Sequence, residues 1–276
     1  MDLDAKIGQL FVVPAPHPDV ARHVRENQVG GVIWFKTTTI EAKRVNAELQ
    51  SLARVPLLIS ADLEAGMGMR FTDADWWPPA MAIAATGEPA FAEEMGRATA
   101  REALAIGIRH ILAPVADVNV DPANPVINTR SFGEDPHEVA RYVTAFIRGV
   151  QDEGALATAK HFPGHGDTHV DSHLALPRLD VTRERLEQVE LVPFRAAITA
   201  GVASVMLGHL AVPCIEDVPA TLSPKAVALL RSMGFEGLVI TDAMDMGALQ
   251  LDAGEAAVRA LEAGVDQVLY SADTDR

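Results

Sequence analysis

The stretch HILAPVAD at residues 110–117 decides how the chain folds. It is a short run, nearly continuous in apolar character, that ends on a carboxylate. A strand with one wet face alternates apolar and polar residues. A run apolar on both faces belongs to a strand covered on both sides, as in a parallel sheet flanked by helices. The same design recurs as PLLISAD at 56–62 and GLVITD at 237–242. Five further runs resemble them: QLFVV from Gln9, GGVIWF from Gly30, ATAKHF from Ala157, SVMLGHL from Ser204 and QVLYS from Gln267.

Longer amphipathic segments lie between these runs. In residues 137–154, Val139, Val143, Phe146, Ile147 and Val150 recur at three- and four-residue spacing and make one apolar stripe. Residues 89–107, 183–201, 223–234 and 253–264 read the same way. Several end on glycine (Gly107, Gly154, Gly201, Gly234, Gly264), the residue that best accepts a left-handed cap. Ser223-Pro224 reads as an N-cap followed by proline in the first turn.

Strict alternation of eight strands with helices predicts an α/β fold with a parallel sheet. Such a sheet is either open and doubly wound or closed as a barrel. No GxGxxG follows the first strand, which removes the main sign of a dinucleotide-binding sheet. A strand count of eight favours a (β/α)8 barrel, and 276 residues are enough for one, which needs about 250. The expectation is one barrel domain over residues 1–276. Only Ala272 to Arg276 follow the eighth strand, so its helix is expected to be missing, as in a chain truncated at its C-terminus.

Composition narrows the function. Hydrophobic residues make up 49% of the chain, enough for a large core. Lys and Arg total 23 against 38 Asp and Glu, a net charge of −15. That field repels nucleic acid and anionic membranes, so neither is an expected partner. Cys214 is the only cysteine, which excludes an internal disulfide, a thiolate zinc site and an iron–sulfur cluster. No apolar run reaches the ~20 residues that span a bilayer. The start, MDLDAKIGQ, lacks the basic-then-apolar layout of a signal peptide. The expectation is a cytoplasmic protein without a cofactor.

In a parallel barrel the chemistry gathers where strands end. Asp62, Asp117, Lys160-His161, His209 and Asp242 all fall at such ends. The densest polar segment is KHFPGHGDTHVDSHLALP at 160–177, with His161, His165, His169 and His173 spaced by four. On a helix that spacing would align imidazoles for a metal. Pro163, Gly164 and Gly166 break any helix there, and no HExxH occurs, so no metal site is expected. Asp171 stands two residues before His173. A carboxylate beside an imidazole fixes its tautomer and favours its protonated form, as a general acid requires. Asp242 supplies a separate carboxylate from another strand end. An acid on one side and a carboxylate on the other match cleavage of an acetal with retention. Spacing alone does not choose between Asp242 and Asp245 as nucleophile.

The 160–177 loop resembles the signature of family 3 glycoside hydrolases, in their bacterial β-N-acetylhexosaminidase branch. The segment APVADVNVDPANPVINTRSFGEDP at 113–136 resembles a second signature of that family, and the likeness runs from IGQLFVV to TDAMDMGAL. The resemblance implies a (β/α)8 barrel that removes terminal β-linked N-acetylglucosamine with retention. It implies Asp242 as nucleophile, and His173 as acid/base assisted by Asp171. It implies Asp62, Arg70, Arg130, Lys160 and His161 as sugar-binding residues, and a small carbohydrate or muropeptide as substrate. Where the family often reads DQEGG, this chain reads DLEAG at 62–66, so Leu63 and Ala65 are expected to change packing near the sugar. Three rival readings use the same residues: a phosphorylase, a metal-dependent barrel hydrolase using the histidine-rich loop, and a sugar-binding barrel without turnover.

Overall fold

A computed structural model describes residues 1–172 and 174–270. Eight parallel strands close into a barrel in chain order. They are β1 Phe11–Pro14, β2 Gly31–Trp34, β3 Leu58–Ala61, β4 His110–Ile111, β5 Leu156–Phe162, β6 Ser204–Leu207, β7 Leu238–Ala243 and β8 Gln267–Leu269. The ring closes where Phe11 and Val12 of β1 pair with Val268 and Leu269 of β8. All eight expected strands are present, and the (β/α)8 reading holds. Ser271 and Ala272 to Arg276, where the eighth helix was expected to be missing, lie outside the described residues.

Among the described residues the helices of nine residues or more are α1 Thr39–Leu52, α2 Pro89–Ala105, α3 Pro136–Asp152, α4 Leu191–Thr199, α5 Pro224–Ser232 and α6 Ala253–Glu262, and they cover the barrel. Their ends follow the local chemistry. Asp135 caps α3 by accepting the His137 and Glu138 N–H groups, and Ser223 caps α5 by accepting from Ala226. The five glycines read as helix stops all have positive φ. Two elements differ from expectation. Strand four is only two residues long, because Pro114 has no N–H to continue the ladder. The segment 183–201 splits into Arg183–Gln188 and α4. Pro193 has no N–H to give the carbonyl of Val189, so a continuous helix fails there.

Period-two alternation sorts the strand residues into two cores. Val205 and Leu207 of β6, and Ala157 and Ala159 of β5, face outward into the layer shared with the helices. Val12, Ile33, Leu112, Met206, Ile240 and Leu269 fill the barrel interior. Beneath that apolar layer sits a buried polar knot. His110 Nε2 lies 2.8 Å from both Ser204 Oγ and Thr158 Oγ1. Burial pushes the His110 imidazole down to about 4. On the outside, α2 and α3 touch backbone to backbone. A Cβ on Gly149 would fall 2.0 Å from the Glu93 carbonyl oxygen, so only glycine fits.

Candidate active site

The C-terminal ends of the strands enclose a cavity of about 200 Å³. The segment after β3 contributes Asp62, Glu64, Met69 and Arg70, and the segment after β4 contributes Val126 and Arg130. Lys160 and His161 come from β5, His165 and Ser172 from the loop after it, and Asp242 from β7.

One wall is an ion network. Lys160 Nζ lies 2.7 Å from Asp62 Oδ1 and 2.7 Å from Glu64 Oε1. Arg70 Nη2 donates to Asp62 Oδ2 at 2.6 Å. Arg130 grips Glu64 with both arms, Nε at 2.9 Å and Nη2 at 2.8 Å. Lys160 is 2% exposed, so its ammonium is tolerated only because it is paired. Burial pushes the Asp62 and Glu64 carboxyls up, but the Lys160 and arginine charges outweigh it and hold both below the ordinary range. Burial also works against the Lys160 charge, yet Asp62 and Glu64 raise the Lys160 ammonium above its usual value. The network therefore stays fully charged at neutral pH. It lines the cavity with fixed donors and acceptors.

Asp117, fully buried, holds the second wall together. Its carboxylate takes the His161 ring nitrogen Nδ1 at 2.8 Å, the His161 N–H at 3.2 Å and the His165 N–H at 2.7 Å. Burial opposes the Asp117 charge, but its two histidine neighbours keep the carboxyl below its ordinary value. Arg130 Nη2 lies 3.5 Å from His161 Nε2. A carboxylate only accepts, so the His161 Nδ1–H points at Asp117. The loop beyond His161 packs directly on the chain after β4. A Cβ on Gly166 would lie 1.8 Å from the Val118 carbonyl oxygen. Asn124 donates to the His165 carbonyl at 2.9 Å and pins the same contact.

Asp242 enters the cavity from the end of β7. Its Oδ1 accepts the Ala243 N–H at 2.8 Å. Burial raises the Asp242 carboxyl, but His161, the Ala243 N–H and Lys160 outweigh it and hold the group ionised below the usual range. Asp245 is exposed and does not line the cavity, so geometry separates the two aspartates where spacing did not. His209, read as a strand-end site group, is fully buried behind the wall. Its Nε2 donates to the Ala243 carbonyl at 2.8 Å and its Nδ1 meets Thr221 Oγ1 at 2.9 Å, so it braces the end of β7.

Of the expected residues, Asp62, Arg70, Arg130, Lys160, His161 and Asp242 line this one cavity. His173 lies outside the described residues. Its neighbour Ser172 is buried in the cavity wall, and the Asp171 carbonyl accepts the Leu174 and Ala175 N–H groups in a turn. Glu64, His165 and Ser172 line the cavity as well. Glu64 was visible in DLEAG, but nothing in that motif showed that it clamps Arg130. Leu63 is fully buried in the core, and neither it nor Ala65 lines the cavity. The departure from the family motif therefore falls behind the site. Among the described residues, no group of three or more His, Cys, Asp or Glu side chains is placed to hold a metal ion. Among the same residues no helix is long and apolar enough to cross a membrane.

Fold and cavity define a (β/α)8 barrel with a charged pocket at its C-terminal mouth. Comparison with known proteins gives it a family. The model of the glycosyl hydrolase family 3 N-terminal domain matches residues 2–275. A Cellulomonas fimi protein named β-N-acetylglucosaminidase/β-glucosidase is 36% identical over 293 residues, covering 100% of this chain and 52% of its own length. The structure of a glycoside hydrolase family 3 β-N-acetylglucosaminidase from Paenibacillus sp. str. FPU-7 superposes with a TM-score of 0.93 at 42% identity, over 98% of this chain and 55% of that one. NagZ from Neisseria gonorrhoeae, solved with N-trifluoroacetyl-D-glucosamine, gives a TM-score of 0.85 at 32% identity, over 95% of this chain and 81% of that one. The chain belongs to glycoside hydrolase family 3. It spans about half the length of the first two curated relatives.

Proposed function

We propose that this barrel carries a retaining exo-β-N-acetylglucosaminidase. The observation that carries the reading is the placement of Asp242. An ionised carboxylate faces a cavity of about 200 Å³ that is also lined by a paired network of Asp62, Arg70, Lys160, Glu64 and Arg130. That volume lies below the ~300–1,000 Å³ of pockets for larger ligands. It suits one sugar ring, and so an enzyme acting on a chain end. Relatives named for N-acetylglucosaminidase activity support the choice of sugar.

In the first step His173 protonates the leaving oxygen while Asp242 attacks the anomeric carbon and forms a glycosyl-enzyme. In the second step water, deprotonated by His173, displaces Asp242 and releases the sugar with its configuration retained. Asp171 orients His173. Asp62, Arg70, Lys160 and His161 grip ring hydroxyls, and Arg130 sets Glu64 and His161. The natural substrate in this reading is a muropeptide fragment cleaved in the cytoplasm; the family resemblance supports it. The test is turnover of aryl β-N-acetylglucosaminide and aryl β-glucoside, with and without phosphate. Release of free N-acetylglucosamine at a rate independent of phosphate supports hydrolysis. A sugar phosphate as product makes the enzyme a phosphorylase, and binding without product makes it a sugar-binding barrel.

A further inference from the structure

The acid/base and the nucleophile of the proposed reaction arrive on different loops, and a backbone contact joins those loops. The Ala248 N–H donates to the Ser172 carbonyl at 3.2 Å. Both residues are buried, at 4% and 2% exposure, so water does not compete for the bond. The Ser172 carbonyl belongs to the peptide unit that leads into His173. That unit is planar, so holding its oxygen holds the chain where it enters His173. Leu176, further along the same loop, lines one groove together with Ala248 and Leu249. Ala248 is in turn tied back to Asp242. Asp242 Oδ1 accepts the Ala243 N–H at 2.8 Å. The Ala243 carbonyl takes the Met246 N–H at 3.1 Å and the His209 ring at 2.8 Å, and the Leu249 N–H donates to the Met246 carbonyl at 3.3 Å. The Met244 N–H donates to the Leu269 carbonyl of β8 at 2.8 Å, which seats this turn on the barrel.

Resting on the glycosidase reading, we propose that the turn over residues 243–249 is a strut that sets His173 at its working distance from Asp242. Ala248 is its positioning residue and acts through the Ser172 carbonyl. Retention requires acid and nucleophile at a fixed short separation across one sugar ring. A misplacement of about 1 Å can cost roughly 100-fold in rate. Other bonds hold the two ends of the histidine loop. Asp117 takes the His161 and His165 N–H groups, and Ala211 pairs with the Pro177 carbonyl and the Leu179 N–H, each at 2.9 Å. Those anchors belong to the segments after β4 and β6. The Ala248 bond reaches instead the segment that continues from the nucleophile's own strand, so it fixes one reacting group against the other.

The test removes one N–H. Ala248→Pro lacks it. Lactic acid inserted in place of Ala248 keeps the methyl side chain and puts an ester oxygen where the N–H was, and this form decides the matter if the proline variant does not fold. Ala248→Gly keeps the N–H. Each protein is assayed on allyl and dinitrophenyl β-N-acetylglucosaminide, with and without azide. The allyl group needs a proton to leave and the dinitrophenyl group does not. Without the N–H, kcat/KM is expected to fall about tenfold or more on the allyl glycoside and less than about twofold on the dinitrophenyl glycoside. Water attacking the glycosyl-enzyme also loses its base, so kcat on the dinitrophenyl glycoside falls. Azide needs no base: it attacks the anomeric carbon, breaks the bond to Asp242, restores kcat and leaves as a glycosyl azide. Ala248→Gly is expected to keep the wild-type ratio between the two substrates. Equal losses on both substrates without rescue by azide make the contact merely structural, and unchanged kinetics on both mean that it sets nothing; either result overturns the proposal. A wild-type protein that cleaves neither substrate overturns the glycosidase reading itself, and this proposal with it.

Discussion

The Asp117 carboxylate and the His161 ring meet at 2.8 Å, and the same carboxylate also takes the backbone N–H of His161 and of His165. One buried side chain thus ties the end of β5 and the following loop to the segment after β4. Removing it leaves three donors without their acceptor. Asp117→Ala is expected to cost about 3 kcal/mol of stability, and Asp117→Asn to raise KM by misdirecting the His161 ring. Urea unfolding and steady-state kinetics check the two effects. Unchanged stability in Asp117→Ala would show that the loop is held by something else.

Close helix packing gives a second prediction. A Cβ on Gly149 would fall 2.0 Å from the Glu93 carbonyl oxygen, and one on Gly96 2.5 Å from the Phe146 carbonyl oxygen. Gly149→Ala must push α2 and α3 apart. A loss of about 2 kcal/mol is expected from such overpacking, even though alanine is the better helix former. A stabilised variant would mean that the helices have room to shift.

Legibility divided along one line. Features written in adjacent residues were readable. Strands buried on both faces showed as continuous apolar runs, helix stops as glycines and the α5 cap as Ser223-Pro224. Asp62, Lys160, His161 and Asp242 were visible because strand ends of a barrel converge by topology. What needed coordinates was pairing between distant segments. Glu64 meets Arg130 across 66 positions, and Asp117 meets His161 across 44. His209 misled for the same reason: it ends β6 in sequence, but its ring turns back to the Ala243 carbonyl and away from the cavity. The break before α4 was encoded by Pro193, yet the apolar stripe on both sides hid it.

Acid sensitivity follows from the buried histidines. His110, His165 and His209 all fall below 6.5, mainly through burial, with His110 pushed down to about 4. Their unfolded forms take up protons near 6.5 while the folded forms resist. Their contribution is therefore complete above that value and is lost as pH falls toward the folded value. Each contributes a slope of at most about 1.4 kcal/mol per pH unit. Asp62, Glu64 and Asp117, all depressed, add their loss only further down, below the unfolded carboxylate range. The melting temperature is expected to drop from pH 7 to pH 5, and less steeply in His110→Gln. A flat profile over that interval would contradict this assignment.

The role proposed for His173 has its own signature. A general acid matters most when the leaving group is a poor one. His173→Ala is expected to lose about 10²–10⁴-fold on an alkyl or disaccharide substrate, and far less on an activated dinitrophenyl glycoside. Equal losses on both would remove His173 from the protonation step.

The central claim is that Asp242 becomes covalently bound to the sugar. A 5-fluoro N-acetylglucosaminyl fluoride forms a glycosyl-enzyme readily but releases it slowly, so the intermediate accumulates for mass spectrometry. The prediction is one sugar per chain, carried on the peptide that contains Asp242 and absent in Asp242→Ala. Turnover without any label, or a label on a different residue, would contradict it.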